Sequence, residues 1–429
     1  MRTTSHSLSA PLATPPPSLR THARNAAIHA LSATGALAFS RSRIAASGDV
    51  IVLTLHRIVP DADRGLCRSP QGMVLRESLF KRLIDYLAAK TRMIAPQEAN
   101  LAPREANLVP PKANLALQVE SIAPSDRSRP RVLLTFDDGW LDNATVALPH
   151  LSRVGARACF FVATSLVGQP TPFWPERMLG LLKEARVNGE LASINRQLDQ
   201  LQSPATGQHP VAAGPGADEA LLSWLKQFPA ATISHWMQSG SNTLRQQAGW
   251  RTGSASANAS NTADPANPTE LIESINLADL KVSTNPKDPM ERLMAWDQLR
   301  DLVHAGHTVG SHTCTHAILP QLRREDLMRE LEDSCRALRQ FLPRQESSAL
   351  WVSYPNGSAS HAVSRAAQKA GYSCGFINTP GLWRANSDPL LLPRVNLWDG
   401  TLVDERGEFS EKHLEYALFW RTRRAPAHA

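Results

Sequence analysis

Two adjacent carboxylates, Asp137 and Asp138, have both the residue type and the position for chemistry. They lie in the segment RVLLTFDDGWLDN and follow directly on an apolar run that is typical of a buried strand. Electrostatic repulsion and desolvation both disfavour two like charges there, unless a positive group lies beside them. The alternative interpretation is structural: Asp137 would cap the following helix and Asp138 would be solvated.

Two histidines, His312 and His316, lie at the end of a second predicted strand with the spacing H-x-x-x-H. The chain has 14 histidines in 429 residues, so about 0.5 such pairs are expected by chance and the spacing alone indicates little. Two imidazoles and one carboxylate would suit Zn²⁺ or a similar divalent ion. A cation bound there would relieve the repulsion of the Asp pair, and the free carboxylate could accept a proton from water.

Two further predicted strands end in polar residues. His56 ends DVIVLTLH, and Asn356 lies in the segment SYPNG after another apolar run. The structural alternatives are that His56 packs or hydrogen-bonds locally and that SYPNG is an ordinary turn. The side chains of Trp140, Trp174 and Trp351 suit either sugar stacking or core packing.

Short apolar segments alternate with amphipathic ones over much of the chain. VLLTF, ACFFVAT, ALWVSYP and CGFIN are typical of buried strands, whereas ESLFKRLIDYLAAK and EDLMRELEDSCRALRQFL have the apolar spacing of helices. This alternation predicts a parallel sheet with helices outside it, either a barrel or a doubly wound fold. In both folds the reactive groups collect at the carboxyl ends of the strands.

The composition disfavours several functional classes. The net charge of +7 favours anionic partners, but no dense block of Lys and Arg predicts nucleic-acid binding. The 5 cysteines are scattered and form no CxxC pair, which disfavours a disulfide framework and a structural zinc site. No apolar segment is long enough to predict a membrane span. We expect a cytoplasmic protein; the alternative is secretion or membrane association through the Ala-rich N-terminus, which also resembles a transit peptide.

TFDDGW followed by SHTCTH closely resembles the polysaccharide deacetylases, the family 4 carbohydrate esterases with the chitooligosaccharide-deacetylase homology domain. LTLHRIVPD, SYPNG and LLPRV are similar to segments of bacterial members from glycan gene clusters. The resemblance implies a distorted parallel (β/α) barrel with a large polar insertion. It also implies a hydrolase that uses a divalent metal, Zn²⁺ or alternatively Co, Mn or Ni, to remove N-acetyl groups from amino sugars in a polysaccharide or glycan precursor.

The resemblance assigns roles to individual residues. Asp137 would be the general base, and the metal ligands would be Asp138, His312 and His316. The backbone N–H of Asn356, between Pro355 and Gly357, would help to hold the tetrahedral oxyanion. Ser353 stands where many members have an arginine that orients the base.

One departure concerns the catalytic acid. Many members supply it from a Leu-x-His motif, but LLLPRVNLW contains no histidine at the matching place. We consider His56 a candidate replacement and Arg394 a candidate for holding the carboxylates or contacting substrate. Two alternatives follow: a related barrel hydrolase acting on a non-sugar C–N bond, and a catalytically weak glycan-binding protein.

The resemblance and the composition together predict the organisation of the chain. Residues 1–48 contain no acidic residue, residues 95–115 hold a proline-interrupted tandem repeat, and Gly253–Glu270 has low complexity. The predicted parts, in order, are a partly disordered N-terminal extension (1–48), the first part of the barrel (49–175) with a repeat loop (95–115), a helical and disordered insertion (176–290), the second part of the barrel (291–402) and a C-terminal tail (403–429).

Overall fold

The computed structural model describes residues 19–99, 127–169, 173–199, 201, 209–210, 216–228, 232–233, 235–237, 291–342 and 350–424. The low-complexity segment Gly253–Glu270 and residues 100–115 of the predicted repeat loop lie outside these described residues. No helix in the described part of the chain combines the length and the apolar character that crossing a bilayer requires.

A curled sheet of parallel strands forms the centre of the fold. The strands along the chain are β1 (Val50–Leu55), β2 (Arg57–Val59), β3 (Val74–Arg76), β4 (Arg92–Met93), β5 (Arg131–Phe136), β6 (Ala158–Val162), β7 (Thr308–Ser311), β8 (Leu350–Ser353), β9 (Tyr372–Phe376) and β10 (Val395–Asn396). The main sheet has 8 strands in the order β10-β1-β5-β6-β7-β8-β9, and β4 pairs with the beginning of β5. β2 and β3 pair separately.

The segment that leads into β10 joins the two outer strands of this sheet. Leu392 forms a parallel bridge to Phe376 of β9, and Val395 pairs in register with Leu53 of β1. The sheet therefore curls into a distorted (β/α) barrel, which confirms the predicted fold class.

Helices cover the outside of the barrel. They are α1 (Leu19–Ala33), α2 (Ala36–Ser47), α3 (Glu77–Lys90), α4 (Leu148–Arg153), α5 (Trp174–Asn188), α6 (Leu191–Leu198), α7 (Ala217–Leu225), α8 (Trp296–His304), α9 (Arg324–Phe341), α10 (His361–Lys369), α11 (Asp399–Leu402), α12 (Glu411–Glu415) and α13 (Thr422–Arg424). π-helical stretches, Asn143–Ala147 and Tyr416–Arg421, precede α4 and follow α12. α3 buries Phe80, Leu83 and Leu87 against the sheet because they recur at helical spacing.

The strands are buried on both faces. Leu134 and Phe160 belong to the core between sheet and helices, whereas Leu133, Phe161 and Phe376 fill the barrel interior. Parallel strands covered on both sides need apolar residues at consecutive positions, since successive side chains point to opposite faces. This requirement explains the wholly apolar segments in the sequence.

The predicted N-terminal extension contributes two helices, α1 and α2, to the folded body. Ile28, Leu37 and Ile44 are buried. Arg41 forms an ion pair of 2.6 Å with Glu415 of α12, and the same carboxylate accepts a hydrogen bond of 2.7 Å from Tyr86. Residues 1–18 lie outside the described part, so the expectation of disorder there stays a prediction.

The insertion has a small core of its own. α5, α6 and α7 pack through a cluster that includes Met178, Leu182, Ile194, Leu221 and Leu225. The described residues of the insertion therefore include helices. α5 begins at the mouth of the barrel, and α7 ends there.

Candidate active site and metal centre

The carboxyl ends of β5 and β7 bring Asp138, His312 and His316 together. The Nε2 atoms of His312 and His316 lie 3.3 Å and 3.4 Å from Oδ1 of Asp138. One potential ligand atom from each residue falls within 4.8 Å of the others. The side chains of Asp138 and His312 are 2% and 3% exposed and that of His316 is 19% exposed, so two members of the group are buried and the third reaches solvent.

The hydrogen bonds around Asp138, His312 and His316 are compatible with a bound cation. Nδ1 of His312 lies 2.7 Å from the carbonyl oxygen of Ser353, which requires Nδ1 to carry the proton. In the neutral ring Nε2 then presents a lone pair towards Asp138, whose Oδ1 has no hydrogen-bond partner among the described residues. A divalent ion would satisfy these facing lone pairs, and a backbone carbonyl that fixes the outer ring nitrogen is typical of metal-bound histidine.

Left-handed backbone conformations position the ligands. Asp138 and His316 have φ values of 77° and 65°, which non-glycine residues adopt at a cost of about 1–3 kcal/mol. Gly139 follows Asp138 with φ 78°, and a Cβ atom there would lie 2.9 Å from Cγ1 of Val162. The tight turn after β5 therefore needs glycine, and the strain at Asp138 and His316 turns their side chains to one point.

The carboxylate of Asp137 is bound by the side chain of Arg394. Nη1 and Nη2 of Arg394 donate to Oδ1 and Oδ2 of Asp137 at 2.8 Å and 2.7 Å, and Ser353 Oγ donates to Oδ2 at 3.0 Å. Burial opposes ionisation of Asp137, but the Arg394 charge, with that of His312, outweighs it and holds the pKa of the carboxyl below its ordinary value. Asp137 is therefore an ionised carboxylate in one orientation.

From the sequence, Arg394 could either hold the carboxylates of the site or contact the substrate. Arg394 contacts the carboxylate of Asp137 and also donates to Ser353 Oγ at 2.8 Å. Its side chain is 1% exposed. Ser353 thus stands where a family arginine is expected, while an arginine from the segment before β10 reaches the same carboxylate.

His56 follows β1 at the same end of the barrel. Its Nδ1 atom is buried and has no hydrogen-bond partner among the residues that the structure describes. Burial lowers the pKa of His56, and the charges of Asp138 and Asp137 oppose that effect. The ring therefore lies within electrostatic range of both carboxylates.

The segment SYPNG forms a tight turn after β8. Asn356 and Gly357 have φ values of 59° and 65°. A Cβ atom on Gly357 would lie 2.2 Å from Cβ of Asn378, so only glycine fits there. Pro355 and Tyr354 are buried, and the Tyr354 hydroxyl donates to the carbonyl of Leu390. The turn is rigid and places Asn356 at the mouth of the barrel.

A buried network behind Asp138 was not predicted from the sequence. Trp140 Nε1 lies 3.2 Å from Oδ2 of Asp138, and Arg57 lies 3.9 Å above the Trp140 ring. Nε of Arg57 donates to Asp142 at 2.6 Å. Trp140 is fully buried, so it supports a ligand and does not stack on sugar; Trp351 is buried as well. The arginine in LHRI and the third acid in DDGWLDN, Asp142, were the available signals in the sequence.

The insertion and the segment just before it add groups that were not predicted from the sequence. The ring of Phe173, just before α5, packs 4.6 Å from the His316 ring. Glu176 is buried, and neither of its carboxylate oxygens has a hydrogen-bond partner among the described residues. Burial and the charge of Asp138 raise the pKa of Glu176 to about 8, so this carboxyl is largely neutral at pH 7. Lys226, just after α7, donates to Asn356 Oδ1 at 2.8 Å.

The fold and site define an α/β-barrel hydrolase with a candidate metal centre at the carboxyl ends of its strands. The sequence model of the polysaccharide deacetylase family matches residues 125–200 and 268–375, which include both aspartates and both histidines of the site. Residues 125–200 and 268–375 therefore form a polysaccharide deacetylase domain, that of carbohydrate esterases that hydrolyse carbon–nitrogen amide bonds.

Several solved structures match the chain at low sequence identity and with TM-scores below 0.5. The Streptococcus pyogenes deacetylase PplD in complex with acetate is 14% identical, with a TM-score of 0.44 over 86% of this chain and 98% of that chain. IcaB from Ammonifex degensii is 16% identical, with a TM-score of 0.42 over 82% and 94%. The BpsB deacetylase domain from Bordetella bronchiseptica is 13% identical, with a TM-score of 0.40 over 81% and 95%. No curated protein matches the chain significantly, and the family assignment rests on the sequence model.

Proposed function

We propose that the chain removes N-acetyl groups from amino sugars in a polysaccharide or glycan precursor and that it does so with a bound divalent metal. The observation that carries this proposal is the pairing of two different carboxylates at one strand end. Asp138 faces two imidazole nitrogens, whereas Asp137 is paired with Arg394. One acid is placed to bind a cation and the other to move a proton.

The residues that would hold the metal are Asp138, His312 and His316. Two imidazoles and one carboxylate favour Zn²⁺, with Co, Mn and Ni as alternatives that accept the same donors. When bound, such an ion polarises a carbonyl and lowers the pKa of water towards about 7.

The remaining residues perform the proton transfers. Asp137 accepts a proton from the water that attacks the acetamide carbon, and its clasp by Arg394 and Ser353 keeps the carboxylate aimed. The backbone N–H of Asn356 donates to the oxygen that gains negative charge. His56 donates a proton to the nitrogen as the C–N bond breaks, so that acetate and a free amine leave.

Metal loading with a substrate panel tests this proposal. The purified chain is stripped of metal, reloaded with Zn, Co, Mn or Ni, and assayed for acetate release from N-acetylated oligosaccharides and from non-sugar acetamides. We expect metal-dependent release from the sugars. Release from the non-sugar acetamides alone would favour the related barrel hydrolase, and binding without release would favour a glycan-binding protein.

Single substitutions test the ligand set. Asp138→Ala, His312→Ala and His316→Ala should each lower bound metal and abolish acetate release, because each removes one of three donors. Asp137→Asn should keep the metal and lose turnover by several orders of magnitude. His304→Ala, on the exposed face of α8, is the matched control. Full metal content in all three ligand variants, measured by elemental analysis, would refute the assignment.

A further inference from the structure

The insertion delivers a lysine to the mouth of the barrel. Lys226 follows α7, and its backbone carbonyl accepts a hydrogen bond of 2.7 Å from Nε2 of Gln321, which lies soon after the His316 loop. Its Nζ donates to Oδ1 of Asn356 at 2.8 Å, in the turn after β8. Two hydrogen bonds from different parts of the barrel therefore fix Lys226 beside the candidate metal centre.

The ammonium of Lys226 is incompletely satisfied. It is half-buried, and its hydrogen bond among the described residues goes to a neutral amide oxygen. No carboxylate in the described ranges forms an ion pair with it. An ammonium has three N–H donors, so two remain for another group. Burial lowers the pKa of Lys226, and the charge of Glu176, when it is ionised, and that of Asp138 oppose this effect.

The neighbouring acids do not neutralise this charge. Glu176 is largely protonated at pH 7 because burial raises its pKa to about 8. Asp137 is paired with Arg394. Asp138 faces the two histidines and would be committed to a cation. A half-buried cation without a counter-charge is unfavourable, and an arriving anion would remove that penalty.

We propose that Lys226 binds an anionic substituent of the glycan, a carboxylate or a sulfate, that lies near the acetamido group in the bound substrate. The inference rests on the proposed deacetylation and adds the substrate class: an acidic glycan. A neutral sugar hydroxyl would accept a hydrogen bond from the same ammonium but would leave its charge uncompensated. The net charge of +7 on the whole chain agrees with an acidic polymer as partner.

Paired probes that differ only in charge test the proposal. One pair is a tetrasaccharide of alternating N-acetylglucosamine and glucuronic acid and the same compound with its carboxylates converted to methyl amides. The second pair is an N-acetylglucosamine trimer with and without 6-O-sulfate. Binding to the metal-loaded full chain is measured by calorimetry, and acetate release is measured in parallel on the unsulfated trimer.

We expect the charged member of at least one pair to bind roughly tenfold more tightly, as one ion pair formed in a partly dry site allows. Lys226→Met should abolish that preference, and Lys226→Arg should restore part of it. Lys183→Met, an exposed lysine on α5 of the same insertion, should keep the preference. The pair that responds distinguishes a carboxylate from a sulfate ligand.

Two results would overturn the inference. One is equal binding, or no binding, of the charged and neutral members of both pairs by the wild-type chain. The other is a preference that persists in Lys226→Met. Acetate release from the neutral trimer without any charge preference would leave the deacetylase proposal standing, whereas loss of release from every sugar would count against that proposal instead.

Discussion

The Arg394–Asp137 contact sets the state of the proposed base. Two parallel hydrogen bonds between buried groups hold the carboxylate in one orientation, and the arginine charge keeps it ionised despite burial. The same contact makes Asp137 a weaker base, since its pKa is lowered. Such a base suits a water whose own pKa is reduced, which agrees with a cation site next to it.

Removing the arginine should shift the acidic limb of the pH–rate profile. In Arg394→Met the buried carboxyl of Asp137 loses its main stabilising charge, so its pKa rises and protonation inactivates it at higher pH. The limb should move to higher pH and turnover at neutral pH should fall. Arg394→Lys should recover part of the effect, and Arg365→Met, exposed on α10, should leave the profile unchanged. An unmoved limb in Arg394→Met would show that Arg394 does not tune the base.

His56 should act as the proton donor. His56→Gln should keep its metal content and lose turnover by roughly 10²–10⁴-fold, the usual contribution of a general acid. The alkaline limb of the pH–rate profile should disappear, because that limb reports loss of the donated proton. Elemental analysis and the pH–rate profile measure both effects. Wild-type turnover in this variant would leave the acid unassigned.

At the scale of elements, the ends of the strands do the positioning. β5, β7 and β8 each end in a residue or turn with left-handed backbone: Asp138, Thr313 and Asn356. These conformations direct side chains and N–H groups into the barrel mouth instead of along the strand. The opposite ends of the strands carry groups whose role is structural, and His307 before β7 is an example.

His307 should make stability depend on pH. It accepts a hydrogen bond from Ala158 N–H, and burial, with Arg157, lowers the pKa of His307 to about 4. The unfolded histidine has a pKa near 6.5, so below that pH the unfolded chain binds a proton that the folded chain does not. The neutral His307 therefore contributes to the stability of the folded chain above pH 6.5. As the pH falls from 6.5 to 4, this contribution is lost and the free energy of unfolding decreases by up to roughly 3 kcal/mol.

Urea unfolding at pH 7 and pH 4.5 measures this loss. His307→Gln should show a smaller decrease in unfolding free energy between the two pH values than the wild type. His304→Gln, exposed three residues earlier, should behave like the wild type. Identical pH dependence in wild type and His307→Gln would rule out His307 as the cause.

At the scale of the whole molecule, the first and last described helices of the chain pack together. α1 and α2 contact the helical C-terminal segment, with Asn25 bonded to Glu405 and Arg41 paired with Glu415. The predicted extension (1–48) and tail (403–429) thus share one buried surface in their described residues. The helices α1 and α2 and the C-terminal helices therefore stabilise each other.

A pair of substitutions in α2 tests this packing. Leu37 is 1% exposed, so Leu37→Ala should lower the unfolding free energy by about 3 kcal/mol through lost burial and a cavity. Phe39 is 59% exposed, and Phe39→Ala should change it by less than about 0.5 kcal/mol. Thermal or urea unfolding compares the two. Equal effects would mean that α2 does not pack as described.

The sequence by itself determined the fold class and the family. Strand and helix patterns depend on neighbouring residues, so the strand VLLTF and the apolar spacing of α9 could be interpreted from the sequence alone. Both the barrel and the polysaccharide deacetylase family are confirmed. The strand ends also placed Asp138, His312 and His316 at one edge of the sheet. Their roles, and that of Asp137, remain predictions.

Only the tertiary structure decided which distant residues complete the site. Arg394 reaches Asp137 across 257 positions, and Lys226 reaches Asn356 across 130. No periodicity connects such residues, because their contact depends on how the barrel closes and where the insertion docks. The composition does not predict the burial of Glu176 and Leu37 either. A glutamate in a polar insertion and a leucine in an Ala-rich extension become buried only when other elements cover them.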